Sequence, residues 1–148
     1  MPTGDPMRIE SRFAEVNGIR LHYLFAGRGE PVILLHGYAQ TSHMWRLLIA
    51  ELARTHTVVA PDLRGAGQSA KAPEGYRKTI MARDIQALAA ALGYRRIRLA
   101  GHDIGLMVAY AYAAQFPDEI DRIALMEDRK STRLNSSHIQ KSRMPSSA

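Results

Sequence analysis

The chain has no cysteine. That removes disulfides, thiolate metal ligands and a cysteine nucleophile together, and leaves serine, threonine, lysine or a carboxylate for any covalent chemistry. Long apolar runs are also missing: even the one through residues 107–114 is far short of the ~20 residues that cross a bilayer. The opening MPTGDPMRIESR has prolines and charges where a signal peptide needs an apolar stretch, so a cytoplasmic protein that does not enter membranes is expected.

What is present is ordinary for a globular domain, with 46% hydrophobic and 23% charged residues in 148. A chain of this size buries roughly 70% of its unfolded surface, enough for one core. The net charge of +6 points to nucleic acid only until it is located. Residues 129–148 hold Arg129, Lys130, Arg133, Lys141 and Arg143 and no acid, which leaves 15 basic and 14 acidic residues in 1–128. A phosphate-binding surface must cluster on the folded face, so no nucleic-acid partner is expected. The last twenty residues, RKSTRLNSSHIQKSRMPSSA, have six serines and no periodicity. They are expected to be a disordered basic tail. They also resemble translated sequencing-adaptor sequence, and are set apart from a core in 1–128 as non-native.

Along that core, Asn17-Gly18 between alternating segments 12–16 and 19–25 predicts an antiparallel hairpin. Residues 32–35 form an apolar run suited to a strand covered on both faces. A helix should follow, capped by Ser42, with Trp45, Leu48, Ile49 and Leu52 on one stripe. Residues 57–60 predict a strand, and 61–69 a loop whose Gly65 and Gly67 fit no nucleotide signature and are expected to be structural turns. Met81, Ile85, Leu88 and Leu92 recur at helical spacing before a stop at Gly93. Then come a strand at 97–100, a helix at 104–115 ended by Phe116-Pro117, and a strand at 123–126. Strands alternating with helices predict an α/β fold with a mostly parallel sheet, an antiparallel N-terminal hairpin and helices on both faces.

The sequence RLAGHDIGLMVAYAY places Asp103 between Gly101 and Gly105, where a buried strand turns into a buried helix. Two readings meet there. Aspartate favours a helix N-cap; alternatively, a sharp turn with small flanking residues holds the carboxylate out beyond the strand end, where α/β sheets bind ligands.

Together LLHGYAQTSHMW, VVAPDLRGAGQSAK, LAGHDIG and AAQFP resemble the epoxide hydrolase and haloalkane dehalogenase branch of the α/β-hydrolase family, over residues 10–127. The resemblance implies a partial α/β-hydrolase fold. It makes Asp103 the nucleophile on an elbow framed by Gly101, His102 and Gly105. An ionised carboxylate can displace a leaving group at saturated carbon, and the alkyl ester is then hydrolysed with the help of a histidine and an oxyanion hole. The resemblance puts the oxyanion donors at the N–H groups of Tyr38 and Ile104, with His36 orienting the His36-Gly37 loop. Ala39 stands where relatives often have proline.

The family's halide-holding tryptophan and asparagine are replaced by Ile104 and Tyr38, and the arginine that fluoroacetate dehalogenases place after the nucleophile is absent. The expectation is therefore an epoxide hydrolase acting on a small apolar molecule without a cofactor or metal. A dehalogenase, or a noncatalytic ligand-binding member of the fold, is the alternative. Glu127 lies where one dehalogenase subgroup carries its catalytic acid, and reads either as that acid or as a structural group at the pocket rim. The family's cap, its tyrosines and its catalytic histidine follow the last strand seen here. None of His22, His43, His56 or His102 lies where that base belongs, and Tyr23, Tyr76, Tyr94, Tyr110 and Tyr112 are expected on core elements. The chain reads as an amino-terminal half that cannot turn over by itself. Oligomeric state is not legible.

Overall fold

A computed structural model describes Asp5 and residues 7–127. The segment 129–148 set apart above lies outside the described residues. Six strands form one sheet: β1 (Glu10–Val16), β2 (Ile19–Gly27), β3 (Glu30–Leu35), β4 (His56–Pro61), β5 (Ile97–His102) and β6 (Ile120–Met126). Their order across it is β1-β2-β4-β3-β5-β6. The β1–β2 and β2–β4 pairs are antiparallel, and the other three are parallel. The hairpin turns at Asn17 and Gly18, both at positive φ (50° and 80°), the geometry that matches the twist of the flanking strands.

Three helices cover the sheet: α1 (Arg46–Leu52), α2 (Lys78–Ala91) and α3 (Ile104–Gln115). Alternation along β3 divides the core between the two faces. Ile33 and Leu35 pack with Met81, Ile85, Val108 and Tyr112 of α2 and α3. Val32 and Leu34 pack with Trp45 and Ile49 on the α1 side. Ile33, Leu34 and Leu35 are fully buried, and each such side chain contributes about 1.5–3 kcal/mol relative to exposure. The expected layered α/β architecture is borne out.

Some local expectations are corrected. Helix α1 is preceded by a 3-10 turn, Ser42–Trp45, capped by Thr41, whose Oγ1 accepts the His43 N–H at 3.2 Å. Ser42, expected as the cap, is instead the first residue inside that turn, one position past the N-cap, and its N–H donates to Asp62 Oδ1 at 2.7 Å. Of the predicted stripe, Trp45 and Ile49 are buried while Leu48 is exposed. Of the tyrosines expected on core elements, Tyr110 is on α3 but exposed, and Tyr76 is exposed and on no element. Tyr76 sits in the connection before α2, and Tyr110 is on the outer side of α3, which is apolar all round and so does not reveal its buried face by periodicity.

Candidate active site

The chain leaves β3 through α1 to β4 on one side and leaves β5 through α3 to β6 on the other. Adjacent parallel strands whose connections diverge open a crevice at their carboxyl ends. Tyr38 follows β3 and Asp103 follows β5, so both lie at that crevice.

Asp103 adopts φ 58°, ψ −116°, a conformation costly for a side chain with a Cβ. The bend is tight because two glycines allow it. A Cβ on Gly101 would strike the Gly105 carbonyl, and a Cβ on Gly105 would strike the Leu35 and His36 carbonyls at the end of β3. The strand ladder runs through Gly101↔Leu125 and His102↔Met126, and the Asp103 N–H donates to the Met126 carbonyl at 3.0 Å. Helix α3 therefore starts directly from the sheet.

Asp103 occupies the N-cap position, yet its side chain makes no capping hydrogen bond. The reading of Asp103 as a side-chain cap is thereby corrected: with φ positive, the carboxylate is directed away from its own helix. Oδ2 instead accepts the Tyr38 N–H at 3.1 Å, and the residue is exposed.

The loop carrying Tyr38 is pinned from below. His36 is buried; its Nδ1 donates to the Gly37 carbonyl at 2.8 Å and its Nε2 accepts the Leu63 N–H at 2.9 Å. That pattern requires the neutral ring, and burial lowers the His36 pKa in spite of the Gly37 hydrogen bond and the nearby Asp62 charge. Gly37 leaves room for its neighbours, since a Cβ there would lie 2.7 Å from His102 Nδ1 and 3.1 Å from Asp103 Cβ. His102 Nδ1 is buried without a hydrogen-bond partner among the described residues. The peptide bonds of the described residues, Ala39 included, are all trans.

A cavity of about 620 Å³ adjoins the Tyr38 loop and Ile104; Asp103 is not among its lining residues but neighbours it through Ile104 and the Tyr38 N–H. Its walls are residues 36–41 after β3, residues 63–67 after β4, the start of α2 with Tyr76, Lys78 and Met81, and Ile104 at the start of α3. The structure thus brings His36, Gly37, Tyr38, Ile104 and Asp103 together, with Gly101, His102 and Gly105 as the frame. Glu127 does not line this cavity, and its Oε2 is buried without a hydrogen-bond partner among the described residues. The loop with Gly65 and Gly67 is a structural turn, both glycines at positive φ, but it also forms a wall. Sequence reasoning missed that wall and the contribution of Tyr76, Lys78 and Met81; the only signal was the turn-rich composition of 61–69.

Residues 30–145 match the family described as alpha/beta hydrolase fold. The chain belongs to that family. Among α/β-hydrolase relatives, the soluble epoxide hydrolase of Corynebacterium sp. (strain C12) is 43% identical over 114 residues, 77% of this chain and 40% of that protein. The fluoroacetate dehalogenase of a Burkholderia species is 36% identical over 123 residues, covering 80% and 40%. Of solved structures, the epoxide hydrolase CorEH without ligand superposes with a TM-score of 0.77 at 43% identity, over 78% of this chain and 41% of that one. The epoxide hydrolase VrEH1 from Vigna radiata gives 0.77 at 35% identity, over 81% and 38%. The chain thus spans about two fifths of the length of the relatives it matches. No helix among the described residues is long and apolar enough to cross a membrane.

Proposed function

We propose that this chain carries the nucleophilic half of an α/β-hydrolase of epoxide hydrolase type. The observation that supports the reading is the carboxylate of Asp103, held on a strained bend at the crevice, unused by its own helix and anchored through Oδ2 to the Tyr38 N–H. In the reaction, Oδ1 attacks an epoxide carbon while the C–O bond of the ring breaks. The departing oxygen keeps the bonding pair and takes a proton from water or an acid. Oδ2 becomes the ester carbonyl oxygen. The Tyr38 N–H already faces it and is positioned to stabilise the oxyanion when water later attacks; the Ile104 N–H, next in the chain, is its partner in that role. His36 and Gly37 act on the carbonyl side by fixing where the Tyr38 N–H points.

Epoxide opening is favoured over halide displacement because Ile104 and Tyr38 bring no indole or amide to a leaving halide. The substrate class is a small apolar epoxide, matched to the apolar Leu63, Met81 and Ile104 of the cavity. Release of the ester needs a base. Among the described residues no histidine hydrogen-bonds Asp103, and the rings of His22 and His36 are fully engaged elsewhere. The 148-residue chain is therefore expected to stall as the alkyl ester, with Glu127 as a structural group at the sheet end.

Incubation with excess styrene oxide followed by intact-mass measurement tests this. One epoxide mass should be added, map to the peptide containing Asp103, and be absent in Asp103→Asn. Absence of the adduct overturns the nucleophile and favours a ligand-binding member of the fold. Sustained diol release overturns the stalled ester.

A further inference from the structure

Two to four strands across the sheet from Asp103, β4, β2 and β1 bring an aspartate, a histidine and a serine into one hydrogen-bonded line. Asp62 follows β4 and is buried. Its Oδ1 accepts the Ser42 N–H at 2.7 Å; its Oδ2 accepts the Gln68 N–H at 3.0 Å and the His22 Nδ1–H at 2.7 Å. A carboxylate only accepts, so Nδ1 carries a proton, and in the neutral ring Nε2 presents a lone pair. Ser11 Oγ lies 2.6 Å from that Nε2 and donates to it.

The imidazole cannot swing away. The His22 N–H donates to Ser69 Oγ at 2.9 Å, Ser69 Oγ–H donates to the Asp62 carbonyl at 2.6 Å, and the Asp62 N–H donates to the His22 carbonyl at 2.8 Å. The Phe13 ring flanks the imidazole with centroids 5.0 Å apart. Ser11, by contrast, is exposed and lies on β1, the edge strand. The base is buried and oriented by an acid, and the hydroxyl it contacts is open to solvent. A nucleophile, a base and an orienting acid at these distances are what an activated serine requires.

We propose that Ser11 is a second, independent nucleophilic site, at which this chain takes up a phosphoryl or acyl group from an activated donor, with His22 as general base and Asp62 as the positioning acid. In the step, Ser11 Oγ forms a bond to phosphorus or to the carbonyl carbon. The donor's leaving group departs with its bonding pair, and the hydroxyl proton passes to His22 Nε2. The resulting imidazolium is held by the Asp62 carboxylate. Nothing in this step uses Asp103 or the cavity.

Diisopropyl fluorophosphate tests the site, because it transfers its phosphoryl group to activated serines with loss of fluoride. The full chain is treated in native buffer and in concentrated urea, and phosphorylated peptides are quantified by mass spectrometry over time. Ser11 is expected to react about a hundredfold faster than the other serines of the chain, the acceleration a positioned general base typically supplies. The preference should vanish in urea, disappear in Ser11→Ala and fall to the unfolded level in His22→Gln. The comparison of native with unfolded chain keeps the test valid if His22→Gln does not fold. No adduct at Ser11, or equal rates in native buffer and urea, would overturn the proposal and leave the line as a means of satisfying a buried carboxylate.

Discussion

Arg64 and Asp84 form a two-pronged buried ion pair, Nε to Oδ2 and Nη2 to Oδ1, each at 2.8 Å, with side chains 7% and 1% exposed. Arg64 lies in the loop that walls the cavity and Asp84 lies on α2, so the pair ties the wall to the helix beneath it. Asp84 Oδ1 also accepts Asn17 Nδ2 at 2.7 Å, and Arg64 Nη1 donates to the Glu74 carbonyl at 3.0 Å. The hydrogen bonds to Asp84 raise the Arg64 pKa, so this cation stays charged at any working pH.

Removing one partner leaves an uncompensated buried charge, whereas removing both does not. Arg64→Leu or Asp84→Leu alone should destabilise the chain by about 3–5 kcal/mol. The double variant should recover a large part of that loss. Urea unfolding of the four proteins measures the coupling, and additive losses would contradict it.

Glycines that permit close approach and glycines that permit a left-handed backbone should differ in cost. A Cβ at Gly105 meets two backbone carbonyls that cannot move without shifting β3, and Gly105→Ala is expected to lose about 3 kcal/mol, the upper range for overpacking, together with the Tyr38–Asp103 contact. At Gly93, φ is 88° but no atom lies within 4 Å of an added Cβ. Gly93→Ala should cost only about 1–2 kcal/mol of backbone strain. Thermal unfolding ranks the two, and a larger loss at Gly93 would reverse the argument.

How far the sequence disclosed this arrangement depended on whether a group's partners were near it in the chain. The 104–115 helix was legible to the residue because the glycine-flanked turn at Asp103 begins it and Phe116-Pro117 ends it. The preceding strand was read two residues short, since Gly101 and His102 look like turn residues, yet both stay paired to β6. The start of β6 was hidden by Asp121 and Arg122, which are exposed on an otherwise apolar strand. Asp103 stood out through its flanking glycines and the family resemblance. The role of Asp62 did not, because its ligands His22 and Ser42 lie 40 and 20 residues away and no local pattern links them.

Asp62 makes the fold sensitive to acid. Burial pushes its pKa up, but the Ser42 and Gln68 N–H groups, the His22 imidazole and the Ser42 side chain together bring it below the usual carboxylate range. The folded chain therefore binds this proton less tightly than the unfolded chain does. The associated stability is present above the ordinary aspartate value near 3.9 and is lost as pH falls through the lower folded value. Asp62→Asn should be less stable than the parent at pH 7, and the difference should narrow below about pH 4. Unfolding free energies measured from pH 7 to 3 test this; a gap that widens toward acid would contradict it.

Tyr112 poses the opposite case at alkaline pH. Its ring, on the inner face of α3, is fully buried and packed edge-on against Phe116 at 5.4 Å, and among the described residues its hydroxyl has no hydrogen-bond partner. Burial, with a smaller contribution from the Glu119 charge, raises the phenol pKa well above its ordinary value. A raised folded value means that the proton is held more tightly in the native state. Stability is intact below the ordinary phenol value near 10 and falls as pH rises beyond it, because only the unfolded chain then ionises freely. Tyr112→Phe keeps the ring contacts and deletes the unpaired hydroxyl. It should be neutral or stabilising by up to about 1 kcal/mol at pH 7, and should lose less stability than the parent between pH 9 and 11. A loss of 2 kcal/mol or more at neutral pH would reveal a partner for that hydroxyl and refute the assignment of Tyr112 as unpaired.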